Sequence, residues 1–180
     1  MKHEIVKQYK ALMPAVQHAA RIISEHTVDP LKPPSIVVDI DNTIIFDDGR
    51  NTINLQIKHL LDVAKSHSCK IHLVTAREKN TDVIKFTREE LRRLCIPYDT
   101  LALSPKKSRG SMASVSAWKH SERAKHNTIL SIGDQWGDCL LLTSDSDIDM
   151  LDVLHNAREG PWIILKPNDG VTLYGMKIMA

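Results

Sequence analysis

Asp39 and Asp41 stand one residue apart at the end of the apolar run Ile36-Val37-Val38. A β-branched run of this kind reads as a buried strand, and residues two apart on a strand face the same side, so both carboxylates converge where the strand ends. Two anions at that spacing repel each other unless they share a cation or a proton. The device recurs downstream, where Ile129-Leu130-Ser131-Ile132 runs into Gly133-Asp134 and Asp138 follows. Four carboxylates at one sheet edge call for a hard cation. Magnesium fits, because it takes oxygen ligands, keeps several waters and commonly bridges protein carboxylates to a substrate phosphate. One aspartate can then attack phosphorus and become an aspartyl-phosphate, while a second protonates the leaving oxygen and activates water. The hydroxyl of Thr75 and a lysine can bind the equatorial phosphoryl oxygens, where transition-state charge is spread.

The surrounding pattern predicts elements that would bring these residues together. Residues 3–26 carry Ile5, Tyr9, Leu12, Val16 and Ile23 on one helical stripe, with a kink or a break at Pro14. The proline-rich stretch 28–34 is a linker into a first strand at 35–40. A helix over 53–66 turns Ile57, Leu60, Leu61 and Ala64 inward, and a second strand at 70–74 ends in Thr75-Ala76-Arg77. Asn80 or Thr81 caps a helix running to about Leu94, with Val83, Ile84, Thr87, Leu91 and Leu94 inward. A third strand at 100–103, a polar loop at 104–114, a helix over 115–125, a fourth strand at 128–132, helical turns at 136–142 and a fifth strand at 162–165 complete the pass. Strands alternating with helices give an α/β, Rossmann-like three-layer fold with a central parallel sheet. Ligand sites in such sheets lie beyond the carboxyl ends of the strands, and three of the predicted strand ends carry polar groups suited to one site. Residues 1–34 form an N-terminal helical segment and linker, and residues 35–180 the core.

The 180 residues suit one compact domain with a real core. A formal charge of +2, with 42% hydrophobic and 26% charged residues, is that of an ordinary soluble protein and carries no general signal for nucleic acid or anionic lipid. Cys69, Cys95 and Cys139 have neither CxxC nor CxxH spacing and read as reduced core thiols. No run approaches the roughly 18 apolar residues of a membrane span, and the first residues lack the apolar region of a signal peptide, so the expected compartment is the cytoplasm.

In sum of motifs, the chain resembles the haloacid dehalogenase superfamily of phosphohydrolases. The resemblance rests on Asp39-Ile-Asp41-Asn-Thr43, Thr75 in Leu-Val-Thr75-Ala-Arg77, a lysine on a helix, and Gly133-Asp134-Gln-Trp-Gly-Asp138, in order over roughly residues 35–165. Within that superfamily it is similar to the acid-phosphatase branch, through Thr75-Ala-Arg77-Glu, Lys119-His-Ser-Glu-Arg123 and Leu165-Lys-Pro-Asn. The resemblance implies Asp39 as nucleophile and Asp41 as general acid and base, with a main-chain carbonyl of Asp41 on the metal. It implies magnesium held by Asp39 and Asp134, Asp138 behind them, and phosphate bound by Asn42, Thr75, Ala76, Arg77 and the lysine. Lys119 matches the pattern best, with Lys106 and Lys107 as alternatives. The short segment between Asp41 and Thr75 leaves room for a flap at about 44–50 and one helix but not for a cap domain, so the site is expected to be open to phosphates on small or large molecules.

Plainer readings stand beside these. Asp134 and Asp138 could cap a helix, Arg77 could form a surface ion pair, Trp136 could only pack, and Lys106-Lys-Ser-Arg109 could be a solvated loop rather than one that steers an anion. Asp145, Asp147, Asp149 and Asp152 imitate a calcium loop, but Met150 and Asn156 stand where its glycine and glutamate belong. The expected partner is a phosphorylated substrate, with association into oligomers left open. The competing functions are a phosphoryl-receiver domain and a degenerate binding protein on the same scaffold. The paired Asp39/Asp41 argues against the first and the intactness of both against the second.

Overall fold

The computed structural model of the protein describes residues 3–9, 12–46, 48–105, 111–142, 162–166 and 171–178. The acidic stretch from Asp145 to Asn156, the basic loop Lys106–Arg109 and Pro167-Asn168 lie outside them. The element order is β1 (His3–Tyr9), α1 (Leu12–Glu25), β2 (Ser35–Val38), β3 (Ile45–Phe46), β4 (Thr52–Ile53), α2 (Leu55–Ser66), β5 (Lys70–Glu78), α3 (Thr81–Arg93), β6 (Thr100–Ser104), α4 (Met112–Arg123), β7 (Thr128–Gly133), α5 (Trp136–Cys139), β8 (Trp162–Lys166) and β9 (Val171–Ile178).

Seven strands form one sheet in the order β1-β9-β8-β7-β2-β5-β6, and β3 and β4 form a separate small hairpin. The five strands from β8 to β6 run parallel, while β9 lies antiparallel to β8 and β1 antiparallel to β9. This is the expected three-layer α/β arrangement. β2 is buried along its whole length, as the unbroken Ile36-Val37-Val38 run requires of a central parallel strand. From β2 the chain builds outward through β5 to β6, then returns to the other side of β2 with β7 and β8. The order therefore reverses between β2 and β7, the place where an open parallel sheet leaves a crevice at its carboxyl edge.

Helices close the core over the sheet. Ile57, Leu60, Leu61 and Ala64 of α2 are fully buried, as their spacing predicts, and join Ala15, Val16, Ala19 and Ile23 of α1 in one cluster with β2, β5 and β7. Asn80 caps α3 by accepting from the Val83 amide at 2.9 Å. Ser111 caps α4 through the Ser114 amide at 3.1 Å, which starts that helix three residues before the expected Val115. Between Asp41 and Thr75 the described residues hold the β3–β4 hairpin, α2 and the start of β5, and no cap domain among them.

Three expectations are corrected. The helix expected over 3–26 is a strand followed by a helix: residues His3–Tyr9 pair with Ile178–Thr172 at the sheet edge. Local periodicity favours a helix there, but a free edge on β9, contributed by the far end of the chain, offers a complete hydrogen-bond ladder. Pro14 causes no kink, because it falls in the first turn of α1, where a missing N–H leaves no bond unmade. Cys95 is exposed, not a core thiol, whereas Cys69 and Cys139 are buried. It follows the C-cap of α3 with φ +52°, and the amides of Cys95 and Ile96 donate to Arg92 and Leu91 carbonyls at 3.1 and 3.0 Å. That is a Schellman turn, which directs the residue after the cap away from the core.

Candidate functional site

The end of β2 delivers Asp39 into the crevice beside β7, and the Asp39 amide extends the ladder by donating to the Ile132 carbonyl at 2.9 Å. Beyond Asp39 the chain wraps around one acceptor: the amides of Thr43, Ile44 and Ile45 all donate to the Ile40 carbonyl. This turn needs a left-handed residue, and Asn42, at φ +56°, is a type that tolerates it. It leaves Asp39 buried and the Asp41 side chain 45% exposed.

From the neighbouring strand, Gly133 leads into Asp134 and the short helix α5. A Cβ on Gly133 would lie 2.1 Å from the Cβ of Asp138, so only glycine lets Asp138 close over the strand end. The backbone around Asp138 is fixed on two sides, by the Gln135 amide donating to Oδ2 at 2.8 Å and by the buried Arg123 guanidinium donating to the Asp138 carbonyl at 2.7 Å. Ser116 of α4 stitches the next residues in place, donating to the Leu140 carbonyl at 2.9 Å and accepting from the Leu142 amide at 2.8 Å.

Lys119 enters from α4 and is 4% exposed. Its Nζ donates to Asp39 Oδ1 at 2.7 Å and to Asp138 Oδ1. Carboxylate oxygens of Asp39, Asp134 and Asp138 all lie within 4.8 Å of one another, close enough for one metal ion. A cavity of about 350 Å³ opens over them, lined also by Asp41, Asn42, Ala76 and Lys119.

Three carboxylates against one ammonium leave this centre with excess negative charge when all are ionised. Burial, with further pressure from Asp138, pushes Asp39 up to about 8 despite the opposing pull of Lys119. Burial and Asp138 push Asp134 up to about 7. Burial alone would lower the Lys119 ammonium, but Asp39 and Asp138 outweigh it and hold it above the ordinary lysine value. A donor set made only of carboxylate oxygens, short of positive charge, fits a hard divalent cation.

The other expected residues gather on the β5 side. Thr75 is fully buried, and its hydroxyl donates to Asp41 Oδ2 at 3.2 Å. Arg77 grips Asp41 with Nε at 3.0 Å and Nη2 at 2.6 Å, while Nη1 donates to Glu90 Oε2 at 2.7 Å. Its ion pair is thus with an aspartate of the cavity, not with a surface carboxylate. Trp136 packs edge-on against the buried Trp162, with centroids 5.7 Å apart, and is not among the cavity's lining residues. The structure adds Ser116, Arg123 and Glu90, none of which was expected.

No family model matches the sequence, and no curated protein matches it. Among solved structures, a chain in the structure of a Pnkp1/Rnl/Hen1 complex is similar with a TM-score of 0.58 and 17% identity, over 78% of this chain and 50% of that one. A chain in the structure of the Pnkp1/Rnl/Hen1 RNA repair complex gives the same score and identity over 78% of this chain and 44% of the other. The protein therefore spans about half the length of those chains, and at this identity the likeness is one of fold. Among the described residues, no helix is long and apolar enough to cross a membrane.

Proposed function

We propose that the protein is a magnesium-dependent phosphomonoester hydrolase that works through an aspartyl-phosphate on Asp39. The observation that carries this reading is the cluster of Asp39, Asp134 and Asp138 around the buried Lys119, at the switch point of the sheet. Magnesium held by the three carboxylates would supply charge neutralisation at the phosphoryl oxygens.

The protein's own groups divide the remaining work. A carboxylate oxygen of Asp39 attacks phosphorus as the bond to the leaving oxygen breaks, and Asp41 supplies the proton that the leaving oxygen takes. In the second step Asp41 accepts a proton from water, which displaces Asp39 from phosphorus and releases inorganic phosphate. Lys119, already bonded to Asp39, holds the nucleophile's orientation and offers its charge to an equatorial phosphoryl oxygen. Asn42, Ala76 and Lys119 line the cavity where that phosphate would sit, and Thr75 and Arg77 orient Asp41 at its edge.

Among the described residues no cap domain covers the cavity, which suits a phosphate on a large molecule as well as on a small one. The fold is shared with chains of an RNA repair complex, so phosphorylated RNA ends belong on the substrate panel beside nucleotides and sugar phosphates. The reading predicts that p-nitrophenyl phosphate is hydrolysed only with magnesium, and that Asp39→Asn abolishes turnover. Undiminished activity in that variant would refute the assignment of the nucleophile.

A further inference from the structure

Glu90 has no part in the two steps above, yet it is 4% exposed on the inner face of α3. Withdrawing a carboxylate from water to that degree is costly unless partners compensate. Its partners are specific. Oε2 accepts from Arg77 Nη1 at 2.7 Å, and Oε1 accepts from Asn51 Nδ2 at 3.2 Å. Arg77 Nη1 also donates to the fully buried Thr87 Oγ1 at 3.1 Å. The same guanidinium reaches Asp41 through its other edge, with Nε at 3.0 Å and Nη2 at 2.6 Å. The planar fork is therefore held from both sides, by α3 on one and by Asp41 on the other.

We propose that Glu90 is a positioning residue for Asp41, acting through Arg77, and that Asn51 joins the β3–β4 hairpin to the same carboxylate. The inference rests on the role of Asp41 in the hydrolase reading. A buried ion pair of this kind contributes little net stability compared with apolar packing of the same volume. What it supplies is direction. A guanidinium fixed at one edge presents a rigid pair of donors at the other, which sets the plane of the Asp41 carboxylate. Asp41 is half exposed, and apart from that fork its carboxylate is held by the Thr75 hydroxyl. A proton donor that wanders by an ångström loses most of its advantage, since transfer requires hydrogen-bond reach to the leaving oxygen.

The test exploits the leaving group. p-Nitrophenolate departs as a stable anion and needs little help from an acid, whereas the alkoxide of glycerol phosphate must be protonated as it leaves. The ratio kcat/KM covers the steps up to that departure. Glu90→Gln is expected to lower kcat/KM for glycerol phosphate by about 10²-fold and that for p-nitrophenyl phosphate by less than about 3-fold. Arg77→Lys, which keeps the charge but cannot span two carboxylates, should lose more on glycerol phosphate than on p-nitrophenyl phosphate. Equal losses on both substrates, or no loss on either, would overturn the proposal and leave Glu90 a structural residue. Should Glu90→Gln fail to fold, Asn51→Gly serves instead, because glycine accepts the φ of +52° at that position and removes only the hairpin's bond to Glu90. It too must lose more on glycerol phosphate than on p-nitrophenyl phosphate. Failure of the hydrolase reading looks different: the wild-type protein with magnesium would turn over neither substrate.

Discussion

Lys119 is the single cation that the described structure sets among three carboxylates, bonded to Asp39 and Asp138 and almost wholly buried. Replacing it with methionine keeps the volume and leaves the anions uncompensated. Lys119→Met is expected to destabilise the metal-free protein by roughly 3–5 kcal/mol, the range for removing one partner of a buried pair, as read from urea unfolding. A change below about 1 kcal/mol would mean that the pair behaves as a solvated one. The aspartates themselves were legible in the sequence because strand periodicity alone aims Asp39 at a carboxyl edge, and Lys119, the lysine chosen there, lies buried against Asp39. Ser116, Arg123 and Glu90 were not legible. Their roles come from contacts with residues distant in the chain, and nothing in their immediate neighbours marks a buried serine or glutamate on an otherwise ordinary helix.

Elements position the site through a few close approaches. Gly133 is the tightest, since a methyl group there would overlap the Asp138 side chain. Gly133→Ala is expected to cost about 1–3 kcal/mol, the range for overpacking, and to weaken magnesium binding by displacing Asp138 from Lys119. Magnesium titration by calorimetry would show this, and an unchanged affinity would contradict the placement of Asp138 against the strand end. The inward stripe of α2 and the Asn80 cap of α3 follow from local sequence, and the structure reproduces them. The β1–β9 pair does not. Its two strands come from opposite ends of the chain, so neither carries a local signal that outweighs the helical spacing of residues 3–9 or marks Val171–Ile178 as a strand.

For the molecule as a whole, pH acts at opposite ends of the sheet with opposite sign. His72 is buried on β5, stacked on His126 at 3.4 Å, and bonded through Nδ1 to Thr100 at 2.7 Å. Burial, then the neighbouring His126, lowers it to about 4, below the 6.5 of an unfolded histidine. Its contribution to stability is therefore complete above pH 6.5 and is lost as the pH falls towards 4. Asp39 and Asp134 move the other way. Their folded values of about 8 and about 7 lie above the unfolded 3.8, so their contribution is complete below 3.8 and is lost as the pH rises through 7 and 8. Metal-free protein should lose thermal stability as the pH rises from 6.5 to about 8, the part of their range in which His72 no longer acts in the opposite direction. Magnesium should restore more of it at the upper end, where protons no longer compete for the carboxylates. A melting temperature that rises across that window without metal would contradict the charge excess at the site.

The chemistry proposed for Asp39 leaves a mark that can be located. Enzyme quenched during turnover and reduced with borohydride converts a phosphoaspartate into homoserine, which peptide mass spectrometry assigns to a position. Homoserine is predicted at position 39 when magnesium and a phosphomonoester are both present, and nowhere when either is omitted. Homoserine at Asp41, Asp134 or Asp138, or none at all in protein that is turning over substrate, would contradict covalent catalysis by Asp39.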